Sequence, residues 1–293
     1  MTDAPDPNYR HPRCYANIHG GCSTKISGEH YVSHSLIKLY TFDDPDLTIK
    51  HSHGFGIRKD VKPKNFVVNA LCTNHNSALS VTDDAALDFA TFLRTIALRF
   101  LGGTGKWGKR EEITISGDDF ERWALKVLLN HAAGKAFTAN QGQVISPVPP
   151  QAVDYLLGRA PWPFGLGLCV AGDPSNTDLA YDPFFIPDRF TTNWWGAYPM
   201  LRYGDQMLIG GLVELNGVGF GLSLFPIDRG YTEYNGVTNP FRGSLERPHF
   251  MEWKWRGVGK RINFTWSGET SDKHVIYMMK PKSKGRLRRL LPI

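Results

Sequence analysis

At 293 residues, with 41% hydrophobic and 21% charged side chains, the chain has the composition of a soluble globular protein able to bury a real core. Four cysteines over that length exclude a disulfide framework, and the lack of any apolar run of roughly eighteen residues excludes a helical membrane span. The net charge of +6 and a pI near 9.1 favour a polyanionic partner, while Met1–Pro7 has neither the basic start nor the apolar stretch of a signal peptide, so a reducing, cytoplasmic setting is expected.

Residues 1–13 are polar and proline-containing and should be extended. Between Cys14 and Cys22 lies a long knuckle with a Gly20-Gly21 turn. Ile26 to Leu36 is rich in β formers and reads as a strand ending in a turn. Asp43-Asp44-Pro45-Asp46 and His51–Gly56 read as loops, and Phe66-Val67-Val68 as a second short strand. Asn74 to Leu79 should open a helix. A longer helix follows, capped by Thr82 or Asp83, with Leu87, Ala90, Leu93, Ala97 and Leu101 at helical spacing and Gly102-Gly103 as its stop.

Ile113-Thr114-Ile115 is expected as a strand. Asp118 or Asp119 should cap another helix, whose Phe120, Trp123, Ala124, Val127 and Leu128 share a face and which Gly134 ends. Prolines 147, 149 and 150 precede a short helix near Val153–Leu157. From Trp162 onward glycine, aromatics and short β runs dominate: Phe164–Val170, Phe184–Ile186, Met207–Leu215, Gly217–Phe225, Glu252–Trp255 and His274–Met278. Asn216-Gly217 and Asn235-Gly236 are turn signals between them. The fold class expected is α+β, with a mostly antiparallel sheet covered by the two helices and a division into residues 1–103 and 104–293.

Three of the four cysteines bracket the pair Glu29-His30. Zinc takes four N or S ligands in a tetrahedron, commonly as two close pairs from distant parts of a chain. Cys14 with Cys22, and Cys72 with His75, make such a set, and a structural zinc there would hold Glu29 and His30 in place. Phosphodiester cleavage needs a base to activate water and a divalent ion to neutralise phosphate charge, both on a rigid frame. His30 is the candidate base, and Glu29 and Asn76 are candidate oxygen ligands for a catalytic magnesium or manganese ion.

The arrangement Cys14…Cys22…Glu29-His30-x-x-Ser33…Cys72-x2-His75-Asn76 resembles the zinc-bearing branch of the HNH, or His-Me finger, endonucleases, over roughly residues 14–90. The resemblance implies a ββα-metal module with a divalent ion, usually magnesium, acting on DNA or sometimes RNA. It puts the base on His30, ion ligands on Glu29 and Asn76, and the asparagine that steadies the base on Asn69 or Asn65. The chain departs from the pattern in its Cys-x7-Cys knuckle, in His75 where a cysteine is usual, and in Ser80 where many relatives carry a histidine. The expected function is therefore a metal-dependent endonuclease with nucleic acid, DNA before RNA, as partner. The alternative is a catalytically inactive, zinc-stabilised nucleic-acid-binding or interaction protein.

Other features carry bland readings. His11, His19, His34, His51 and His53 read as surface residues, and Cys169 as core. Gly103–Arg110 lacks the hydroxyl residue a phosphate loop needs after its lysine, and Glu252-Trp253-Lys254 after Asp228 reads as an exposed strand face. The aromatics after Trp162 read as core, except that one ring of Trp194-Trp195 should be exposed. The acid-free run Lys280–Arg289 is either a solvated end or a phosphate-binding arm.

Overall fold

The structure is a computed structural model that describes residues 6–41, 44, 46–53, 57–101, 107–139, 142–143, 147–162, 166–170, 194–202, 204–225, 245–268 and 274–278. The expected strand Phe184–Ile186, the Asn235-Gly236 turn and the Lys280–Arg289 run lie outside them. Mixed helices and strands confirm the α+β class. Among the described residues no helix is long and apolar enough to cross a membrane.

In chain order the first elements are β1 (Glu29–His30), α1 (His34–Thr41), β2 (Ile49–His53), β3 (Ile57–Val61) and β4 (Val67–Val68). Then come α2 (Thr73–Ala78), α3 (Ser80–Leu101), β5 (Glu111–Ser116) and α4 (Gly117–Ala133). A small hairpin of β6 (Thr138–Ala139) and β7 (Gly142–Gln143) precedes α5 (Pro150–Leu156). The strands β8 (Gly167–Val170), β9 (Trp195–Leu201), β10 (Leu208–Leu215), β11 (Val218–Ser223), β12 (Leu245–Glu246), β13 (Phe250–Trp255), β14 (Val258–Thr265) and β15 (His274–Met278) complete the fold.

The stretch expected as one strand, Ile26–Leu36, gives only two strand residues before α1 begins. Leu36, Ile37 and Tyr40 recur at helical rather than alternating spacing, and burying them together against the core decides the matter. Of the expected loop at His51–Gly56, His51–His53 belong to β2, which pairs antiparallel with β3, and residues 54–56 lie outside the described residues. Helix α4 starts two or three residues earlier than Asp118 or Asp119 as cap would set it. Ser116 is the cap, its Oγ accepting the Asp119 amide at 3.1 Å, while Asp118 and Asp119 favour the first turn through their charge.

Two larger sheets form rather than one. The order β12-β8-β11-β10-β9 is antiparallel throughout, and its β10–β11 hairpin turns on Asn216 and Gly217, both at positive φ, as expected for that dipeptide. Strand β9 escaped the sequence reading because Gly196 and Pro199 interrupt it; it forms the sheet edge, where proline is tolerated. The second sheet, β15-β13-β14-β5, is mixed: only β13–β14 is antiparallel, while β13–β15 and β14–β5 run parallel. These are the two parallel pairings among described strands that otherwise pair antiparallel, as expected; β5 enters from before α4, and a connection long enough to contain a helix permits parallel pairing.

One contiguous core runs from Cys14 to Tyr277 and joins residues on both sides of the expected 103/104 boundary. Phe89 of α3 lies at its hub, its ring 4.8 Å from Phe120 and 5.4 Å from Phe220. Helix α4 is the mast. Every residue from Trp123 to Ala132 is buried, so its polar side chains must find partners inside. Glu121 accepts the Leu168 amide at 2.7 Å and pairs with Arg247 at 3.2 Å. Lys126 and Asn130 reach back to β1.

Burial pushes the Glu121 carboxyl from an ordinary 4.5 up to about 7, with Arg247 pulling the other way. A folded-state pKa above the unfolded value means the stabilisation is complete below pH 4.5 and is lost as pH rises through about 7. Chemical denaturation across that window should therefore show the wild type losing up to about 3 kcal/mol relative to Glu121→Gln. Parallel pH profiles for the two proteins would contradict this assignment.

Candidate metal centre and the histidine beside it

Cys72 is the N-cap of α2, its Sγ accepting the His75 amide at 3.5 Å, which turns the His75 ring back onto the same sulfur. His75 Nδ1 lies 3.3 Å from Cys72 Sγ, 3.4 Å from Cys14 Sγ and 3.7 Å from Cys22 Sγ. All four ligand atoms lie within 4.8 Å of one another, and all four residues are buried. A tetrahedral ion with ordinary metal–sulfur and metal–nitrogen lengths would separate its S and N ligands by about 3.5 Å, so the set is already the right size.

The long Cys-x7-Cys knuckle closes through the 3-10 turn Asn17–His19 and two glycines at φ +72 and +68. At Gly20 a Cβ would lie 2.4 Å from the Pro7 carbonyl, so only glycine fits. Backbone bonds then lace the knuckle to the α2 entry: Tyr15 N–H to Ala70 O at 2.9 Å, Ser27 N–H to Leu71 O at 2.9 Å and Thr73 N–H to Lys25 O at 3.0 Å. Sulfurs so crowded resist joint ionisation. Burial pushes the Cys14 thiol up to about 12, and nearby Cys72 and Cys22 add to it. Burial also acts on Cys72, but the His75 and Ser23 backbone donors bring that thiol below its usual value. A buried Cys3His cluster of this kind can hold a metal ion, and the metal's charge would reverse the penalty.

In chain order α1 and the β2–β3 pair stand between β1 and β4, and α2 follows β4. Strand β1 pairs antiparallel with β4, Glu29 opposite Val68 and His30 opposite Val67, and α2 follows. The same charged groups, Lys126 and Asp83, act on both Glu29 and His30. Glu29 points inward, where Lys126 Nζ meets its Oε1 at 2.9 Å and Asn76 hydrogen-bonds its carboxylate. The same Nζ lies 2.9 Å from Asp83 Oδ2, while Ser33 Oγ donates to the other Asp83 oxygen and accepts the Trp123 indole N–H at 3.0 Å. Burial raises the Glu29 pKa, and Lys126 opposes it. Asn76 Oδ1 is buried with no hydrogen-bond partner.

His30 is half-buried. Its ring stacks on His34 at 4.5 Å and 7°, and its Nε2 is buried with no partner. Burial first, then His34, push its pKa down to about 4 against the nearby Pro63 carbonyl, so the imidazole is neutral at pH 7. Asn69 and Asn65, the residues expected to steady His30, are both exposed, and neither side chain bonds His30 among the described residues. Asn130 of α4 donates to the His30 carbonyl at 3.0 Å while accepting from Tyr15 Oη at 3.1 Å.

Thus the four candidate metal ligands come together, Glu29 comes to Asn76, and His30 sits on the same two-stranded unit. Lys126, Asp83, Asn130 and His34 were missed. Lys126 and Asn130 stand four apart on one stripe of α4, the signal that could have flagged a shared target.

The remaining expectations resolve simply. Cys169 is buried on β8, its Sγ 3.5 Å from the Gly221 carbonyl. Ser80 is exposed at the start of α3. Glu252 is buried and pairs with Arg261 at 3.3 Å rather than lying on an exposed face, and Asp228 is outside the described residues. Of the phosphate-loop decoy, residues 103–106 are also outside them, and Trp107 is core. Neither tryptophan of the Trp194-Trp195 pair stands free in solvent: Trp194 stacks on Tyr40 at 4.3 Å, and half-buried Trp195 packs on Phe66 at 5.6 Å. Comparison of the chain with protein-family models, curated proteins and solved structures finds no match.

Proposed function

We propose that this chain is a zinc-framed endonuclease that hydrolyses phosphodiester bonds in nucleic acid, DNA before RNA, with His30 as general base. The observation that carries the reading is the buried, partnerless Nε2 of a neutral His30 on a strand laced to a Cys3His cluster. Three sulfurs and one nitrogen at tetrahedral spacing are zinc's donor set. Held by four protein ligands, such an ion would have no open position and would serve the fold rather than the reaction.

For the chemistry, the Nε2 lone pair takes the proton of a water attacking phosphorus, and the Pro63 carbonyl, beside the ring, favours the cation so formed. The stacked His34 and the Asn130 bond to the His30 carbonyl hold the ring in place. Magnesium or manganese fits the hard oxygens of Glu29 and the orphaned Asn76 Oδ1, and these two would hold it. Such an ion, when bound, supplies positive charge opposite the scissile phosphate.

One observation favours the second reading. The Lys126 ammonium already sits on Glu29 Oε1, a charge any divalent ion must share or displace. A zinc-stabilised binding protein without catalysis would keep that arrangement. Zinc-loaded protein incubated with supercoiled plasmid, single-stranded DNA and RNA, with magnesium or manganese, separates the two. Cleavage establishes the nuclease; salt-sensitive binding with no cleavage under either ion establishes the binding protein.

A further inference from the structure

Beside His30 the surface folds into a cavity of about 300 Å³ lined by His34, Ile37, Lys38 and Thr41 of α1, Asp44 and Asp46 after it, and Lys62-Pro63-Lys64 before β4. Its lining includes His34, stacked on the His30 ring, and Pro63, whose carbonyl lies beside it. The cavity therefore adjoins the ring rather than lying elsewhere on the molecule.

Its charge is cationic on one side. Pro63 opens a 3-10 turn after an extended Lys62, which sets Lys62 and Lys64 on either side of the proline, both exposed. Neither forms an ion pair among the described residues, unlike buried Lys126 and Lys260. Asp44 is partly spent on its own loop, its Oδ1 accepting the Asp46 amide at 2.9 Å. The apolar floor of Ile37 and Thr41 gives a sugar something to rest on. Unpaired ammonium groups over a small apolar-floored cavity suit one phosphate with its sugar.

We infer that this cavity binds a phosphodiester unit of a nucleic-acid strand, through Lys62 and Lys64. The inference deepens the proposed function, because it would seat the backbone next to His30, yet it also holds for the binding reading.

The test is fluorescence anisotropy of zinc-loaded protein with labelled single-stranded DNA, duplex DNA and RNA over a salt series, with cleavage scored in parallel. The proteins are wild type, Lys62→Glu/Lys64→Glu, and Lys109→Glu as a cationic control outside the cavity. The double variant should lose about tenfold or more in affinity and flatten the log–log salt slope by about 2, while the control changes little. Zinc content and melting temperature should not move, since both lysines are exposed. Lysine-dependent binding without cleavage would keep the cavity and remove the nuclease. Cleavage with equal losses in the double variant and the control, or with no loss in either, would remove the cavity and keep the nuclease. No binding by the wild type to any strand overturns the cavity assignment.

Discussion

Replacing Cys72 with serine should strip the metal and unfold the chain. Serine can still cap α2, because its hydroxyl can accept the His75 amide as the sulfur does, so the local helix start survives the change. What is lost is the soft ligand. Metal binding by such sets is worth on the order of 10–16 kcal/mol, against a total stability of roughly 5–15 kcal/mol for a typical domain. The damage cannot stay local, since Cys14, Cys22 and Cys72 belong to the same contiguous core as Phe89 and Trp253. Metal analysis should find wild type with one zinc per chain and Cys72→Ser with far less, and the variant should lose cooperative thermal unfolding. A strong chelator should do the same to wild type. A metal-poor variant that melts like wild type would make the four residues ordinary core.

The second large effect is expected at Lys126. Its Nζ is the only cation paired with Glu29 and Asp83 among the described residues, and its side chain is 2% exposed. Lys126→Met keeps the length and apolar stem but leaves two carboxylates facing each other, which for a buried pair costs about 3–5 kcal/mol. Burial already raises the Glu29 pKa, and removal of the lysine takes away its main opposing influence. A carboxyl whose folded pKa is raised adds stability at low pH and loses it as pH rises. The Lys126→Met deficit, read from urea midpoints, should therefore be largest near neutral pH and shrink on acidification. Adding Glu29→Gln should recover part of it. A deficit independent of pH would mean that lost packing, not unpaired charge, is responsible.

The metal set was legible because thiols and imidazoles at two close spacings have few other uses in a long chain without disulfides. The order β1, β4, α2 was legible for the same reason: the Cys72 knuckle marks where the helix must begin. Helix α1 was not, since Ile37 and Tyr40 are β formers and their helical spacing spans little more than a turn. The role of α4 was harder still. Its apolar face announced Phe120, Trp123 and Val127, but Glu121, Lys126 and Asn130 look like the wet face of an ordinary amphipathic helix. Only the fold shows that α4 has no wet face between Trp123 and Ala132 and must answer to β1 and to Arg247. For the same reason the bond from Asn130 to the His30 carbonyl, set by packing, left no motif to read. The second sheet's parallel pairs were hidden because pairing between strands so far apart in sequence leaves no local pattern.

The most direct test of the central claim is cleavage of supercoiled plasmid by zinc-loaded wild type and His30→Ala, with magnesium or manganese and with zinc measured in both samples. His30 lies outside the Cys3His set and is held through its backbone carbonyl by Asn130, so the variant should fold and keep its zinc. The account predicts nicking by wild type and, for a lost general base, a drop of about 100-fold or more in the variant. Cleavage at the wild-type rate by His30→Ala, zinc intact, would contradict it.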